Sequence, residues 1–248
     1  MLVARYFLPL LLISSLAAQT GRFGLPACAS TGEEIADRTY FVLCHNSSRK
    51  VPVWVGYELK PEHLTQASVT RTRFRRDPLL TQSGAEDSDY TYSGYSRGHM
   101  APAADFAWSA EAFRATFLLS NAAPQLQSVN AGPWARLENA VRRLARSADR
   151  IYVFTGPIFD HDSNVIGEGR VAVPTHFFKA VLVEHDGHRT VYGAVVPNSP
   201  TGAEPLSNFF VSIREIETRT GLDFFSALDD QQERLIESRR QPWSVSRP

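Results

Sequence analysis

Apolar residues along the chain form strand-like runs on both sides of a helical centre. Two neighbouring runs, RTYFVLCHN and KVPVWVGYEL, are rich in Val, Phe, Tyr and Trp and predict two adjacent strands joined by a polar turn. The later runs RIYVFTGPIF, VAVPTHFFKAVLVE and TVYGAVVPNS predict three more strands, and NFFVSIREIETRTG predicts a polar C-terminal helix. Strands before and after a helical middle are typical of a mixed α+β fold.

Two helices are predicted in the middle of the chain. Ser109 is a candidate N-cap for a helix in SAEAFRATFLLSN. GPWARLENAVRRLARSADR has Pro133 where the first turn of a helix tolerates proline, and its apolar residues recur at helical spacing. This apolar stripe consists of Trp134, Leu137, Val141 and Leu144. Glu138 lies one position off the stripe, at the edge of the face that is expected to be buried.

The N-terminal sequence MLVARYFLPLLLISSLAAQT has the pattern of a secretory signal peptide. One cation, Arg5, precedes an apolar run, and small residues permit cleavage near Ala17 or Ala18. We therefore expect a signal peptide at residues 1–18, a single domain at residues 19–248, and export to the periplasm or the extracellular medium. No other run is apolar enough to cross a bilayer, so no stable membrane association is expected.

The two cysteines follow soon after this segment. An exported chain meets an oxidising compartment, so a disulfide between Cys28 and Cys44 is expected. The alternatives are two unrelated buried thiols or a metal pair, for which only His45 is at a recognisable spacing.

The charge is balanced overall, but arginine carries most of the positive part. Lys and Arg number 26, as do Asp and Glu, so no global field attracts polyanions. Only Lys50, Lys60 and Lys179 are lysines; arginine, with its planar fork, suits bidentate phosphate contacts. Four of the arginines crowd into TRTRFRRD, at positions Arg71, Arg73, Arg75 and Arg76. This stretch is either a solvated basic loop or a phosphate-facing strand.

Two catalytic templates overlap in SGYSRGHMAPAAD. Gly94 to Gly98 fit G-x-S-x-G, the nucleophile elbow of acyl hydrolases, in which Ser96 would attack an acyl carbon. That turn needs a buried strand before the serine and a helix directly after it. The preceding SGAEDSDYTYSGYS is polar and predicts an exposed loop, and Pro102 disfavours a helix afterwards. The pattern favours the second template, Ser-Arg-Gly-His, in which His99 is the working residue.

The residues around His99 suit hydrolysis of a phosphodiester. A histidine with a pKa near neutrality can take a proton from water, and arginine and a divalent metal can neutralise charge on the phosphate oxygens. The candidates in the neighbouring sequence are Asn121, Asn130, Glu138 and either Arg71 or Arg73. Amide and carboxylate oxygens are hard ligands, which suit Mg²⁺ that keeps most of its waters.

The segments SRGHMAPAADF, TFLLSNAAPQ and NAGPWARLE, in this order and spacing, resemble the DNA/RNA non-specific endonuclease family of the ββα-metal (His-Me finger) superfamily. The resemblance covers most of the chain, from Tyr40 to the segment AVVPN. It implies a central antiparallel sheet with flanking helices. It also implies a metal-dependent nuclease that hydrolyses DNA and/or RNA to 5′-phosphate products, with two strands holding His99 and the helix beginning near Gly132 holding Asn130.

The family pattern assigns a role to each candidate residue. It makes His99 the general base that activates water and Asn130 the one direct protein ligand of Mg²⁺, or of Mn²⁺ in its place. It makes Glu138 the residue that holds water around the metal, and Asn121 a residue that orders the site around the histidine. The phosphate-steadying arginine corresponds to Arg71 by its spacing to Phe74 or to Arg73 by its aromatic neighbour, and we favour Arg71. A homodimer is implied by the resemblance alone.

Alternatives to these assignments stay open. Ser96 replaces an Asp found in most of the family but is shared with its exonuclease-G-like branch, so the balance of endo- and exonucleolytic cleavage is undecided. His99 could be a hydrogen-bonded loop residue and Asn121 a turn residue. Asn130 could cap a helix, and Glu138 could pair on the surface with the arginine four positions later. The rival functions are a catalytically inactive secreted nucleic-acid-binding protein on the same fold and an acyl hydrolase that uses Ser96.

Overall fold

The computed structural model describes residues 21–65, 67–160, 164–200 and 204–243. The predicted signal peptide at residues 1–18 lies outside the described residues. The strands are β1 Glu33–Asp37, β2 Val42–Asn46, β3 Val51–Leu59, β4 Tyr95–His99, β5 Ala122–Leu126, β6 Arg150–Ile158, β7 Val165–Ile166, β8 Val171–Ala172, β9 His176–His185, β10 His188–Pro197 and β11 Phe210–Val211. The α-helices are α1 Ala110–Ala115, α2 Gln127–Val129, α3 Ala135–Arg146, α4 Ile213–Thr220 and α5 Asp230–Glu237.

Seven of these strands form one antiparallel sheet in the order β1-β2-β3-β6-β9-β10-β11. The long strands β9 and β10 are joined by Asp186 and Gly187, which both have positive φ, as a two-residue hairpin turn requires. The expected α+β fold, with a central antiparallel sheet and flanking helices, is confirmed. The run VAVPTHFFKAVLVE contains two strands rather than one, since Pro174 lies between β8 and β9 and has no N–H for a ladder.

Both faces of the main sheet are buried, which explains why its strands are nearly continuous apolar runs. On one face, the predicted apolar stripe of α3 packs against β9 residues such as Phe177 and Val181. All four stripe residues are buried, with at most 6% of their surface exposed. On the other face, Ile213 and Ile216 of α4 pack against Phe154 and Phe178.

A small unit of two strands and a helix lies on the α3 side of the sheet. β4 pairs with β5 in antiparallel register, with His99 opposite Ala122. The chain then runs directly into α2, a wide π-helical turn at Asn130–Trp134, and α3. Gly132 in this turn has φ −101° and ψ −113°, outside the helical region, so α3 begins only at Ala135, later than predicted.

Two local predictions from the sequence have clear outcomes. Ser109 caps α1 as expected, because its side-chain oxygen accepts the N–H of Ala112. The segment predicted as an exposed loop before β4 is instead partly buried at Asp89 and Tyr90. The Asp89 carboxylate accepts the N–H of Gly169 at 2.7 Å, a tertiary contact across 80 residues that local polarity does not reveal.

The predicted disulfide between Cys28 and Cys44 is present. Cys44 lies in β2, so the bond fastens the segment before β1 to the main sheet. Trp54 of β3 adds a hydrogen bond from its indole N–H to the carbonyl of Ala27 at 3.1 Å.

We expect the double variant Cys28→Ser/Cys44→Ser to lose about 3 kcal/mol of unfolding free energy, because the bond closes a loop of 16 sequence positions. Urea denaturation followed by circular dichroism measures this difference. The wild-type protein in a reducing agent should unfold at the same urea concentration as the variant. Equal urea midpoints for the oxidised wild type and the variant would contradict a stabilising role for the disulfide.

Candidate active site

A cavity of about 470 Å³ lies between β4, the start of the α2–α3 segment and the chain that precedes residue 72. Four of the five residues singled out from the sequence line it, namely Arg71, His99, Asn130 and Glu138. The rest of its wall is largely apolar and includes Phe113 and Phe117. Residues that are 67 positions apart in the chain thus meet at one opening.

His99 occupies the last position of β4, between aromatic rings. Its ring centroid lies 4.7 Å from that of Phe74 and 4.9 Å from that of Phe117. Burial, and secondly the charge of Arg71, lowers the pKa of His99 from 6.5 to about 3. The imidazole is therefore neutral at physiological pH, and its pKa is well below the near-neutral value expected from the sequence. Its Nε2 has no hydrogen-bond partner among the described residues, although such orphan buried atoms are rare.

The strand pair holds His99 in place through two contacts that sequence reasoning missed. The indole N–H of Trp134 donates to the carbonyl of His99 at 3.3 Å, which links β4 to the turn before α3. Gly98 allows β4 to lie close to Gln125, since a Cβ at Gly98 would stand 2.7 Å from the Gln125 Cβ. The glycine of the Arg-Gly-His motif is thus required by packing across the β4–β5 pair.

Asn121 does not line the cavity but lies buried behind it. Its amide nitrogen donates to the carbonyls of Ala101 and Thr116, each at 2.9 Å, and its amide oxygen accepts the N–H of Ala101 at 2.8 Å. Its backbone carbonyl accepts the N–H of Met100. Asn121 therefore fixes the backbone that directly follows His99.

Arg71, not Arg73, lines the cavity that contains His99. A second cavity of about 550 Å³ is lined by both arginines and shares Arg71 and Asn130 with the first. The two openings therefore adjoin each other at Arg71 and Asn130. Residues 67–74 have no regular secondary structure, so the alternative of a phosphate-facing strand is wrong for most of the basic stretch.

Ser96 lies inside β4 and not at a turn from a strand into a helix. Its hydroxyl donates to the side-chain oxygen of Gln127, and it lines the second cavity. The strained geometry of a nucleophile elbow is absent from this part of the described chain, so the acyl hydrolase interpretation has no structural support.

Asn130 was alternatively expected to cap a helix, and Glu138 to pair with the arginine four positions later; their positions match neither expectation. In the described residues, no helix start is capped by the Asn130 side chain. The arginine four positions after Glu138 is Arg142, and its guanidinium binds the Asp105 carboxylate at 2.6 Å instead. Both Asn130 and Glu138 instead line the cavity.

The donor set fits a hard divalent cation. Asn130 and Glu138 supply an amide and a carboxylate oxygen, which Mg²⁺ prefers, and the cavity volume leaves room for several waters. Among the described residues, no group of three His, Cys, Asp or Glu side chains close enough to share a metal lies at this cavity. A metal here would have few direct protein ligands and would keep most of its water.

Comparison with known proteins identifies the family of the chain. Residues 19–231 match the family model described as DNA/RNA non-specific endonuclease. The chain belongs to this family. Human mitochondrial endonuclease G is 39% identical over 220 residues, which cover 83% of this chain and 73% of the relative. Zebrafish (Danio rerio) mitochondrial nuclease EXOG is 39% identical over 235 residues, 88% of this chain and 68% of the relative.

A solved structure and a fungal relative extend the family comparison. The structure is a crystal structure of the EndoG/EndoGI complex, which addresses the mechanism of EndoG inhibition. It has a TM-score of 0.82 at 32% identity, and the match covers 89% of this chain and 95% of that chain. Nuclease C1 of Cunninghamella echinulata var. echinulata is 36% identical over 84% of this chain and 88% of the relative. These nuclease relatives support endonuclease activity on nucleic acids with a divalent metal.

The predicted export of this family member is wrong. The endonuclease G and EXOG relatives are named as mitochondrial proteins, which contradicts a periplasmic or extracellular location. No helix in the described residues combines the length and the hydropathy needed to cross a membrane.

We expect the variant Arg71→Gln to raise the pKa of His99, because the charge that disfavours the imidazolium is removed. The pKa should stay below 6.5, since burial, the larger cause, remains. NMR titration of the metal-free protein measures it, and His99→Gln identifies the resonance. Arg73→Gln is the matched control and should leave the titration unchanged. An unaltered His99 pKa in Arg71→Gln would contradict the inference that the charge of Arg71 lowers the pKa of His99.

We expect Gly98→Ala to destabilise the protein by about 1–3 kcal/mol, because its Cβ would overlap the Gln125 side chain. Thermal unfolding measures the change. The double variant Gly98→Ala/Gln125→Gly removes the Gln125 Cβ together with the rest of that side chain and should recover part of the lost stability. If Gly98→Ala alone unfolds at the wild-type temperature, the proposed reason for this glycine is wrong.

Proposed function

We propose that the protein hydrolyses phosphodiester bonds of DNA and/or RNA with Mg²⁺, or Mn²⁺ in its place, and leaves 5′-phosphate ends. The observation that carries this proposal is the single cavity shared by Arg71, His99, Asn130 and Glu138. A neutral base, a cation and a pair of hard oxygen donors are what attack on a phosphodiester needs. The proposal treats residues 19–248 as one nuclease domain.

His99 acts as the general base in this proposal. Its neutral imidazole takes a proton from the water that attacks phosphorus. The aromatic walls formed by Phe74 and Phe117 keep bulk water away from the ring and hold it in one orientation. Asn121 has an indirect role in this proposal. It fixes the backbone after His99 through hydrogen bonds and lies outside the cavity.

Arg71 binds the phosphate on which charge develops. Its guanidinium is exposed at the junction of the two cavities, where a nucleic-acid backbone can reach it. Contacts of this type read the phosphate and not the base, which suits cleavage without sequence preference. Arg73 lines the second, adjoining cavity and would bind a neighbouring phosphate.

Asn130 would hold the metal directly, and Glu138 would hold the water around it. When bound, Mg²⁺ supplies positive charge to the leaving oxygen. Glu138 is suited to this position because it reaches the cavity from the first turn of α3 while its backbone stays fixed in the helix.

We also propose a mitochondrial location, because the names of the endonuclease G and EXOG relatives describe them as mitochondrial. A homodimer is proposed on the family resemblance alone. The rival function is a nucleic-acid-binding protein without catalysis. That alternative would require a damaged site, whereas each candidate residue is present at the cavity or directly behind it.

We expect the purified protein to degrade closed circular plasmid and total RNA with Mg²⁺ and not with EDTA. His99→Ala should lower the rate at least about 100-fold, the usual range for loss of a general base. Asn130→Ala should do the same, with a higher Mg²⁺ requirement. Ser96→Ala is the control and should remain active. Binding of plasmid without cleavage under any divalent metal would favour the non-catalytic function.

A further inference from the structure

A separate pocket of about 220 Å³, the aromatic pocket, shares a wall segment with the cavity that contains His99. It is lined by Thr39, Tyr40, Glu58, Lys60, His63, Phe106 and Trp108. Four of these seven side chains carry an aromatic ring. Pockets for drug-sized ligands usually begin near about 300 Å³, so this smaller pocket suits a single planar ring system.

The rings of His63 and Trp108 lie parallel and give the aromatic pocket a stacking surface. Their centroids are 4.7 Å apart, and their planes differ by 16°. Tyr40 stands steeply to the Trp108 ring, with the two centroids 5.9 Å apart. Burial lowers the pKa of His63, so this imidazole is uncharged at neutral pH. A flat ligand can extend such a stack, as nucleobases do on aromatic side chains.

Glu58 and Lys60 place one charge of each sign in the wall of the same pocket. The Glu58 side chain is buried, and its carboxylate oxygens lie 3.5 Å from the Lys60 ammonium and 3.4 Å from the Arg150 guanidinium. An anionic ligand would meet the carboxylate, and a cationic ligand would meet the ammonium. A neutral base avoids both repulsions, because its amino group can donate to Glu58 while a ring nitrogen accepts from Lys60.

One short segment forms part of the walls of both openings. Within residues 102–108, four residues line the His99 cavity, whereas Phe106 and Trp108 line the aromatic pocket. Ala104 on one wall and Phe106 on the other are two positions apart, so their Cα atoms are separated by at most about 7 Å. A phosphate in the His99 cavity and a ring in the aromatic pocket would thus have little more than this segment between them.

We propose that the aromatic pocket binds an unpaired nucleobase of the strand that is being cleaved. This inference rests on the proposed function of the His99 cavity. The base extends the stack of Trp108 and His63, while Glu58 and Lys60 bind its polar edge. Single-stranded nucleic acid makes this contact and a duplex does not, because a paired base leaves its stack only at a cost. Every base has an aromatic face, so the contact requires no sequence preference.

The first test uses a free nucleoside, without metal or catalysis. Adenosine added in EDTA should shift the NMR resonances of the Trp108 indole N–H and the His63 ring, which Trp108→Phe and His63→Gln identify by their absence. The indole resonance of Trp243 is the internal control and should not move, since that ring packs against Phe210 instead. Ribose 5-phosphate and tetramethylammonium test for a phosphate or a cation as the ligand, and neither should shift these resonances.

Two variants at Trp108 test the stacking surface. Trp108→Leu removes the ring, and the His63 resonance should then need about ten-fold more adenosine to shift. Trp108→Phe keeps a ring and should bind adenosine within a few-fold of wild type. The dispersion of the same spectra shows whether each variant is folded.

The second test compares single-stranded and duplex substrates in the presence of Mg²⁺. Trp108→Leu should raise KM for a short single-stranded oligonucleotide about ten-fold with little change in kcat, because the base binds away from the reacting atoms. Nicking of closed circular plasmid should change far less, so that the ratio of the two activities shifts. Trp108→Phe should restore most of the single-strand activity.

The outcomes separate this inference from the proposed function. If adenosine leaves the wild-type Trp108 and His63 resonances in place, the pocket does not bind a base, whether or not the protein cleaves. Equal shifts with ribose 5-phosphate or tetramethylammonium would overturn the inference in favour of a phosphate or a cation. An unchanged KM for single strands in folded Trp108→Leu would show that the substrate does not use the pocket. If wild type binds adenosine but cleaves nothing with any divalent metal, the proposed function fails and the base-binding site remains.

Discussion

The buried side chain of Trp134 makes the contacts on which the geometry of the candidate site depends. Its ring is fully buried, with its centroid 5.5 Å from that of Phe177 in β9, and its N–H binds the carbonyl of His99. One side chain therefore joins the main sheet, the β4–β5 pair and the segment that carries Asn130 and Glu138. Because packed interiors adjust poorly to changes in shape, the separation of His99 from Asn130 and Glu138 is set by this packing.

The sequence predicted the parts of the site that follow from local pattern. The helical spacing of the α3 stripe correctly placed its buried face, and the strand runs correctly predicted the main sheet. Arg71, His99, Asn130 and Glu138 were grouped by chemistry and family resemblance, and the fold brings them to one cavity. Such features depend on residue type and short-range spacing, which a single sequence contains.

Features that depend on long-range contacts were not predictable. Arg142 has an acidic residue four positions before it, but binds Asp105, which is 37 residues away, because the direction of its side chain is set by how α3 packs on the sheet. Lys179 is a single charge in an apolar strand run, and nothing local distinguishes a buried cation from an exposed one. The export prediction failed for a related reason: an apolar N-terminal run with one arginine indicates targeting only by composition, which does not name the compartment.

In the proposed mechanism, the charge of Arg71 affects the pKa of His99 at two different stages of the reaction. In the free protein, burial and Arg71 keep the imidazole neutral, but a base with a pKa near 3 has little affinity for the proton of water. A substrate phosphate that pairs with Arg71 neutralises this charge and brings a negative charge close to the ring, and both changes raise the pKa of His99. Substrate binding would therefore strengthen the base when the attacking water must lose its proton. The proposed mechanism accordingly needs Arg71 at the junction of the two cavities, where it can act on both the phosphate and the imidazole.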